Sequence, residues 1–137
     1  MKQELNMGVL DLVERARSRI EEVEPKQAIA MLNQEKVLVV DIRDVRERQR
    51  DGFIPGSFHC PRGMAEFWAD PNSPYFKTVF EENDKFLFHC AVDWRSALTV
   101  DTLTQMGFRG AAHIKGGLKA WKETGGPIQT DTPDKDR

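Results

Sequence analysis

The chain has 137 residues, 39% apolar and 31% charged, with a formal net charge of −2. These values describe one ordinary globular domain, and they exclude a disordered chain or two full domains. Mild acidity argues against nucleic acid, which demands a basic face. Apolar runs of at most five residues argue against a membrane span. No apolar leader with a cleavage site opens the chain, so the expected location is the cytoplasm.

Leu5, Val9, Leu12, Val13, Ala16 and Ile20 recur at helical spacing opposite a charged face, which predicts an amphipathic helix over about residues 6–19. Ile20 to Val23 reads as a short edge strand, and Pro25 suits the first turn of a helix carrying Ala28, Ile29 and Leu32. Val37-Leu38-Val39-Val40 has the β-branched, uninterrupted character of a strand buried on both faces. A charged helical turn follows from Val45 to Arg50, then a tight turn at Gly52-Phe53-Ile54-Pro55-Gly56. Ser57 to Cys60 reads as a strand stopped by Pro61, and residues 63–69 as a helix. Asp70 to Pro74 is a loop by composition, and 75–83 does not resolve into one class.

Phe86-Leu87-Phe88-His89 is a second buried strand, running directly into Cys90. After Cys90 the chain turns, and a helix starts near Arg95 with Ala97, Val100, Leu103 and Met106 as its buried stripe and Gly107 at its C-cap. Ala111 to Ile114 makes another strand, and Gly116-Gly117 opens a last helix with Leu118 and Trp121. Strands alternating with helices predict an α/β fold: a mainly parallel twisted sheet of about five strands with helices on both faces. Ligands bind beyond the carboxyl ends of such strands, where Cys90 stands.

An ordinary cysteine is only a few per cent thiolate at neutral pH. The first N–H groups of a helix, pointing back at a short loop, stabilise an anion and therefore a thiolate. Since a helix end alone supplies a modest share, Arg95 and the loop amides must contribute the rest. The plain alternative for both Cys60 and Cys90 is a buried small hydrophobe.

Cys90 and Arg95, as C-x-x-x-x-R-S at a strand-to-helix turn, resemble the active loop of the rhodanese sulfurtransferases. Val37 to Val40 leading into Asp41-Ile42-Arg43 and Glu47, the turn Gly52 to Ser57, and the closing Gly116-Gly117-Leu118-Lys119-Ala120-Trp121 are similar to the same family, in order and spacing. The resemblance spans about residues 20–128. It divides the chain into an N-terminal helical extension (1–19), a rhodanese-like domain (20–128) and a polar, disordered tail (129–137).

The resemblance implies a sulfurtransferase that moves a sulfane sulfur from thiosulfate, mercaptopyruvate or a persulfide to a thiol or cyanide, through a persulfide on Cys90. It implies that Ala91, Val92, Asp93, Trp94, Arg95 and Ser96 hold the substrate sulfur, with no metal or organic cofactor. Asp41, Arg43 and Glu47 are expected to support the strand end through ion pairs. A small sulfur donor, a thiol acceptor and a sulfur-accepting protein are the implied partners. Two departures stand out: Phe53 replaces a common histidine, and Asp93 stands where glycine is common, its charge expected to oppose incoming anions.

His59, His89 and His113 accompany the cysteines, but strand neighbours such as His59-Cys60 and His89-Cys90 face opposite sides and do not converge on one ion. Cys60 is read as packing, with a resolving thiol as the alternative. Two rival functions stay open. Cysteine-dependent phosphatases have a loop H-C-x-x-x-x-x-R, whereas four residues, not five, separate Cys90 from Arg95. The other rival is a weak sulfur carrier or binding module that keeps the fold.

Overall fold

The computed structural model describes residues 1–130. Five strands form one parallel sheet: β1 (Glu21–Val23), β2 (Val37–Asp41), β3 (Phe58–His59), β4 (Lys85–His89) and β5 (Ala111–Ile114), in the order β1-β5-β4-β2-β3. Around them lie α1 (Val9–Arg17), α2 (Pro25–Met31), α3 (Val45–Asp51), α4 (Ala65–Ala69), α5 (Trp94–Gln105) and α6 (Gly117–Glu123). The α/β architecture is the one expected, with β1 at an edge. Residues 63–69 divide into a 3-10 turn (Arg62–Met64) and α4, and the ambiguous 75–83 segment contains a 3-10 turn at Thr78–Phe80.

Central strands β2 and β4 pair from Val37↔Lys85 to Asp41↔His89, so Asp41 and His89 finish level. Their continuous apolar sequences follow from burial on two faces. Val40, Phe86 and Phe88 join Val100 and Leu103 of α5 on one side. Val39 and Leu87 join Ala28 of α2 and Leu118 and Trp121 of α6 on the other. Cys60 and Cys90 both belong to the first layer.

The N-terminal helix is shorter than the 6–19 expected, and half of its apolar stripe is uncovered. Val13 and Ala16 pack on Ala97 of α5, whereas Leu5, Val9 and Leu12 are exposed. The contact is a narrow strip of small side chains. Polar ties beyond it, Arg19–Asp101 and Arg17–Glu22, fix only the C-terminal end of the helix.

Met106 is also exposed, not part of the buried stripe of α5. It is the C-cap, and there the chain reverses: Gly107 takes φ +89°, with Gly107 N–H donating to Thr104 and Phe108 N–H to Leu103. That reversal sets Phe108 against Phe86, with the ring centres 5.0 Å apart. The expected tail begins too early at 129, because Phe53 and Gln129 exchange backbone hydrogen bonds of 2.9 and 2.8 Å. Residues 131–137 of that tail lie outside the described residues. No helix among the described residues is long and apolar enough to cross a membrane.

Candidate active site

Cys90 is the first residue beyond β4, and α5 starts four residues later at Trp94. Its side chain is 1% exposed, set in the apolar layer beneath the loop. The Ser96 backbone N–H, in the first turn of α5, donates to Cys90 Sγ at 3.4 Å. The donor comes from the positive end of a twelve-residue helix, where partial charge favours an anion.

The loop is shaped from behind by α6. Leu118 N–H donates to the Cys90 carbonyl at 2.9 Å and Lys119 N–H to that of Ala91 at 3.1 Å. Peptide C=O and N–H groups point opposite ways in a trans peptide. Holding these two carbonyls against α6 therefore turns the amides of Ala91 and Val92 away from it. Among the described residues, no amide from Ala91 to Arg95 donates to a protein acceptor. Five consecutive N–H groups without a protein acceptor, in the loop that follows the sulfur, are available to an anion.

Gly117 makes this close approach possible. A Cβ there would overlap the Val92 carbonyl, and its φ is +63°, in the left-handed region that favours glycine. Asp93, by contrast, has φ −163°, outside the left-handed region, so its φ does not call for a glycine. Its carboxylate accepts the Gly116 N–H at 2.9 Å. The charge expected to oppose anions is thus tied to the β5–α6 turn.

Arg95 is clamped by Glu47 through two hydrogen bonds, of 2.8 and 3.0 Å. Its pKa is raised, first by Glu47, against burial, and Cys90 adds to the rise. Glu47 also accepts the Asp44 N–H as part of the capping box of α3. One carboxylate thereby fixes both the start of α3 and the loop arginine. Trp94 and Val92 stand 50% and 40% exposed at the rim.

Asp41 and Arg43 pair as expected, almost without exposure, through bonds of 3.0 and 2.9 Å. Burial pushes the Asp41 pKa up, but Arg43 and nearby His89 outweigh it and hold the group at about 2. The tie from Asp41 to α3 runs through Arg48, not Glu47, at 2.9 Å. Arg48 also stacks 4.4 Å from the centre of the Phe53 ring, so the phenylalanine in the turn has a packing role.

The three histidines take separate structural places. His59 Nε2 donates to the Arg43 carbonyl at 2.6 Å. Burial lowers the His89 pKa to about 4, so the neutral ring donates through Nδ1 to the Cys90 carbonyl. His113 lies between Ser96 Oγ and Glu22, each at 2.8 Å. No group of three or more His, Cys, Asp or Glu side chains is placed to hold a metal among the described residues.

As read from the sequence, Cys90 to Ser96 form one loop, and the fold sets Glu47, expected to brace Asp41 and Arg43, against Arg95 of that loop instead. Asp41 and Arg43 lie behind the strand ends. What the reading omits is the rear support: Gly116, Gly117 and the amides of Leu118 and Lys119. The Gly-Gly pair ahead of an apolar helix was the available signal. The grouping of His113 with Glu22 and Arg17 has none, since His113 lies 91 positions from Glu22.

A family model, the rhodanese-like domain, matches residues 24–124. The mouse (Mus musculus) thiosulfate sulfurtransferase/rhodanese-like domain-containing protein 3 is 30% identical over 97 residues, 67% of this chain and 62% of its own length. The chain therefore spans less than two thirds of that relative. A solved Rhodopseudomonas palustris protein of unknown function, described as a possible tyrosine phosphatase, has a TM-score of 0.89 at 49% identity, covering 94% of this chain and 99% of its own. The polysulfide-sulfur transferase homodimer of Wolinella succinogenes shares the fold, with a TM-score of 0.67 at 24% identity over 90% of this chain and 88% of its own. By the match of the family model across most of its length, the chain belongs to the rhodanese-like domain family.

Proposed function

We propose that the chain is a sulfurtransferase acting through a persulfide on Cys90. The observation that carries this reading is the loop itself: Cys90 Sγ accepts the Ser96 N–H, and the amides of residues 91–95 have no protein acceptor. Family membership supports the same class of chemistry.

In the first half-reaction, the Cys90 thiolate attacks the sulfane sulfur of the donor. An S–S bond forms at Cys90, the donor's bond to that sulfur breaks, and the leaving group departs with its electron pair. For thiosulfate that group is sulfite. The persulfide carries its negative charge on the outer sulfur, about 2 Å beyond Sγ. There the free amides and the Arg95 guanidinium stabilise it. In the second half-reaction, an acceptor thiolate or cyanide attacks the outer sulfur, and Cys90 leaves as the regenerated thiolate. Splitting the transfer in two is the usual gain of covalent catalysis. No step needs a metal or organic cofactor.

A phosphatase reading is favoured by one observation, the description of the Rhodopseudomonas relative. Two features of this chain weigh against it. Four residues, rather than five, make the loop between Cys90 and Arg95. Asp93, the acid within the loop, is engaged by the Gly116 N–H rather than free to protonate a leaving group.

The test is to incubate reduced protein with thiosulfate, 3-mercaptopyruvate or polysulfide, then measure thiocyanate after adding cyanide, with p-nitrophenyl phosphate as the counter-assay. Thiocyanate turnover with at least one donor is the expected result. Ester hydrolysis without sulfur transfer would overturn the reading in favour of the phosphatase.

A further inference from the structure

Behind the loop runs a line of polar contacts that sulfur transfer as described does not use. Ser96 Oγ lies 2.8 Å from His113 Nδ1 and 3.3 Å from the Asp93 carbonyl. His113 Nε2 lies 2.8 Å from Glu22 Oε2, and Arg17 Nε donates to that same oxygen at 2.8 Å. Ser96 and His113 are fully buried, while Glu22 is partly exposed. The line joins the active loop to β5, β1 and the C-terminal end of α1.

We propose that His113 is a positioning residue for the Cys90 loop, its tautomer and charge deciding whether the Ser96 hydroxyl bonds to β5 or back to the Asp93 carbonyl at the head of α5. It regulates the site assigned to sulfur transfer, and rests on that reading only for its consequence in turnover.

The number of available hydrogens sets the tautomer. A carboxylate clamped by Arg17 only accepts, so His113 Nε2 facing Glu22 must carry a proton. In the neutral ring Nδ1 is then a bare lone pair, and the single Ser96 hydroxyl hydrogen points to it. When the ring takes a second proton, Nδ1–H becomes a donor to Ser96 Oγ. The hydroxyl hydrogen is displaced to the remaining acceptor, the Asp93 carbonyl, and ties the first turn of α5 to its N-cap. Ser96 is also the residue whose N–H reaches Cys90 Sγ, so the change is made at the sulfur's own donor.

The groups facing His113 are Glu22 from β1, Arg17 from α1, Asp93 from the loop and Ser96 from α5. Burial is the strongest influence and, with Arg17, lowers the ring's pKa below 6.5, although Glu22 and Asp93 oppose the fall. The neutral, Nε2–H state is therefore the one at neutral pH. Acidification closes the second tie.

The test uses the reduced chain with no sulfur donor. Nitrogen-15 NMR of the His113 ring at neutral pH reads the tautomer, and iodoacetamide labelling, mapped by peptide mass, reads the reactivity of Cys90. Glu22→Met removes the acceptor and leaves Arg17, a donor only, beside Nε2. It is expected to flip the neutral ring to Nδ1–H and to slow Cys90 labelling roughly 3- to 10-fold, the worth of one hydrogen bond. In a Ser96→Ala background the same substitution should have no effect on labelling. A wild-type Nδ1–H tautomer would overturn the proposal. So would unchanged labelling in Glu22→Met, or an effect that persists without the Ser96 hydroxyl. Failure of thiocyanate formation would sink the sulfur-transfer reading and leave these results standing.

Discussion

Two cysteines stand at the carboxyl ends of parallel strands in this fold, equally hidden and in the same apolar layer. Cys60 follows β3 with 0% exposure, and Cys90 follows β4 with 1%. What differs is the backbone that comes next. After Cys60 comes Pro61, which has no N–H, and the thiol's one polar contact is as a donor to the Pro61 carbonyl at 3.9 Å. Burial, with a small push from Glu66, raises the Cys60 pKa to about 12. After Cys90 come five unoccupied amides and the head of α5, and the sulfur is an acceptor. Burial alone makes a thiol inert; burial among oriented donors makes a place for an anion.

The largest effect that can break this comparison is on turnover. Cys90→Ser should lower thiocyanate formation by roughly 1,000-fold or more, since no other nucleophile replaces it. Cys60→Ser should leave the rate within about twofold in the folded protein. Comparable losses in both variants would mean that the two sites are not chemically distinct.

Next is the ion pair that braces both strand ends. Asp41 accepts the Cys60 N–H with its carbonyl, and its carboxylate is held by Arg43. Arg43→Ala leaves that carboxylate buried, and should cost about 3–5 kcal/mol in urea unfolding. Asp41 titrates at about 2 in the fold against an ordinary 3.8. Its contribution is therefore present above 3.8 and lost as pH falls through about 2. Acid unfolding followed by circular dichroism should begin at higher pH in Arg43→Ala than in wild type.

Gly117→Ala addresses the support behind the Cys90 loop alone. A methyl group against the Val92 carbonyl should destabilise the protein by about 1–3 kcal/mol. Because the loop must move to admit it, sulfur transfer should fall further than the lost stability explains. Equal rates in thermally stable Gly117→Ala protein would argue that α6 does not shape the loop. The smallest expected effect is that of Glu47→Gln, which weakens the clamp on Arg95 and should slow transfer about tenfold.

The same contrast explains how much of the molecule is readable from its residues. Val37 to Val40 and Phe86 to His89 announce buried strands by composition, and the spacing from Cys90 to Ser96 announces a strand-to-helix turn. Local pattern suffices there because local physics sets the outcome. Met106 and the N-terminal stripe of Leu5, Val9 and Leu12 read as buried but are exposed, because helical periodicity does not say where the partner surface stops. Chain position suggests Glu47 as a brace for Asp41 and Arg43. It instead pairs with an arginine 48 positions away, a meeting that only the level ends of β2 and β4 arrange. His113 and Glu22, 91 positions apart, meet because the β1–β5 register sets them opposite one another.

The most direct test of the difference between the two cysteines is the intact mass of the reduced protein after exposure to a sulfur donor and removal of the excess. The account predicts a species heavier by one sulfur atom, localised to Cys90, present in Cys60→Ser and absent from Cys90→Ser. An added sulfur that survives in Cys90→Ser, or its absence from wild type with thiosulfate, mercaptopyruvate and polysulfide alike, would contradict it.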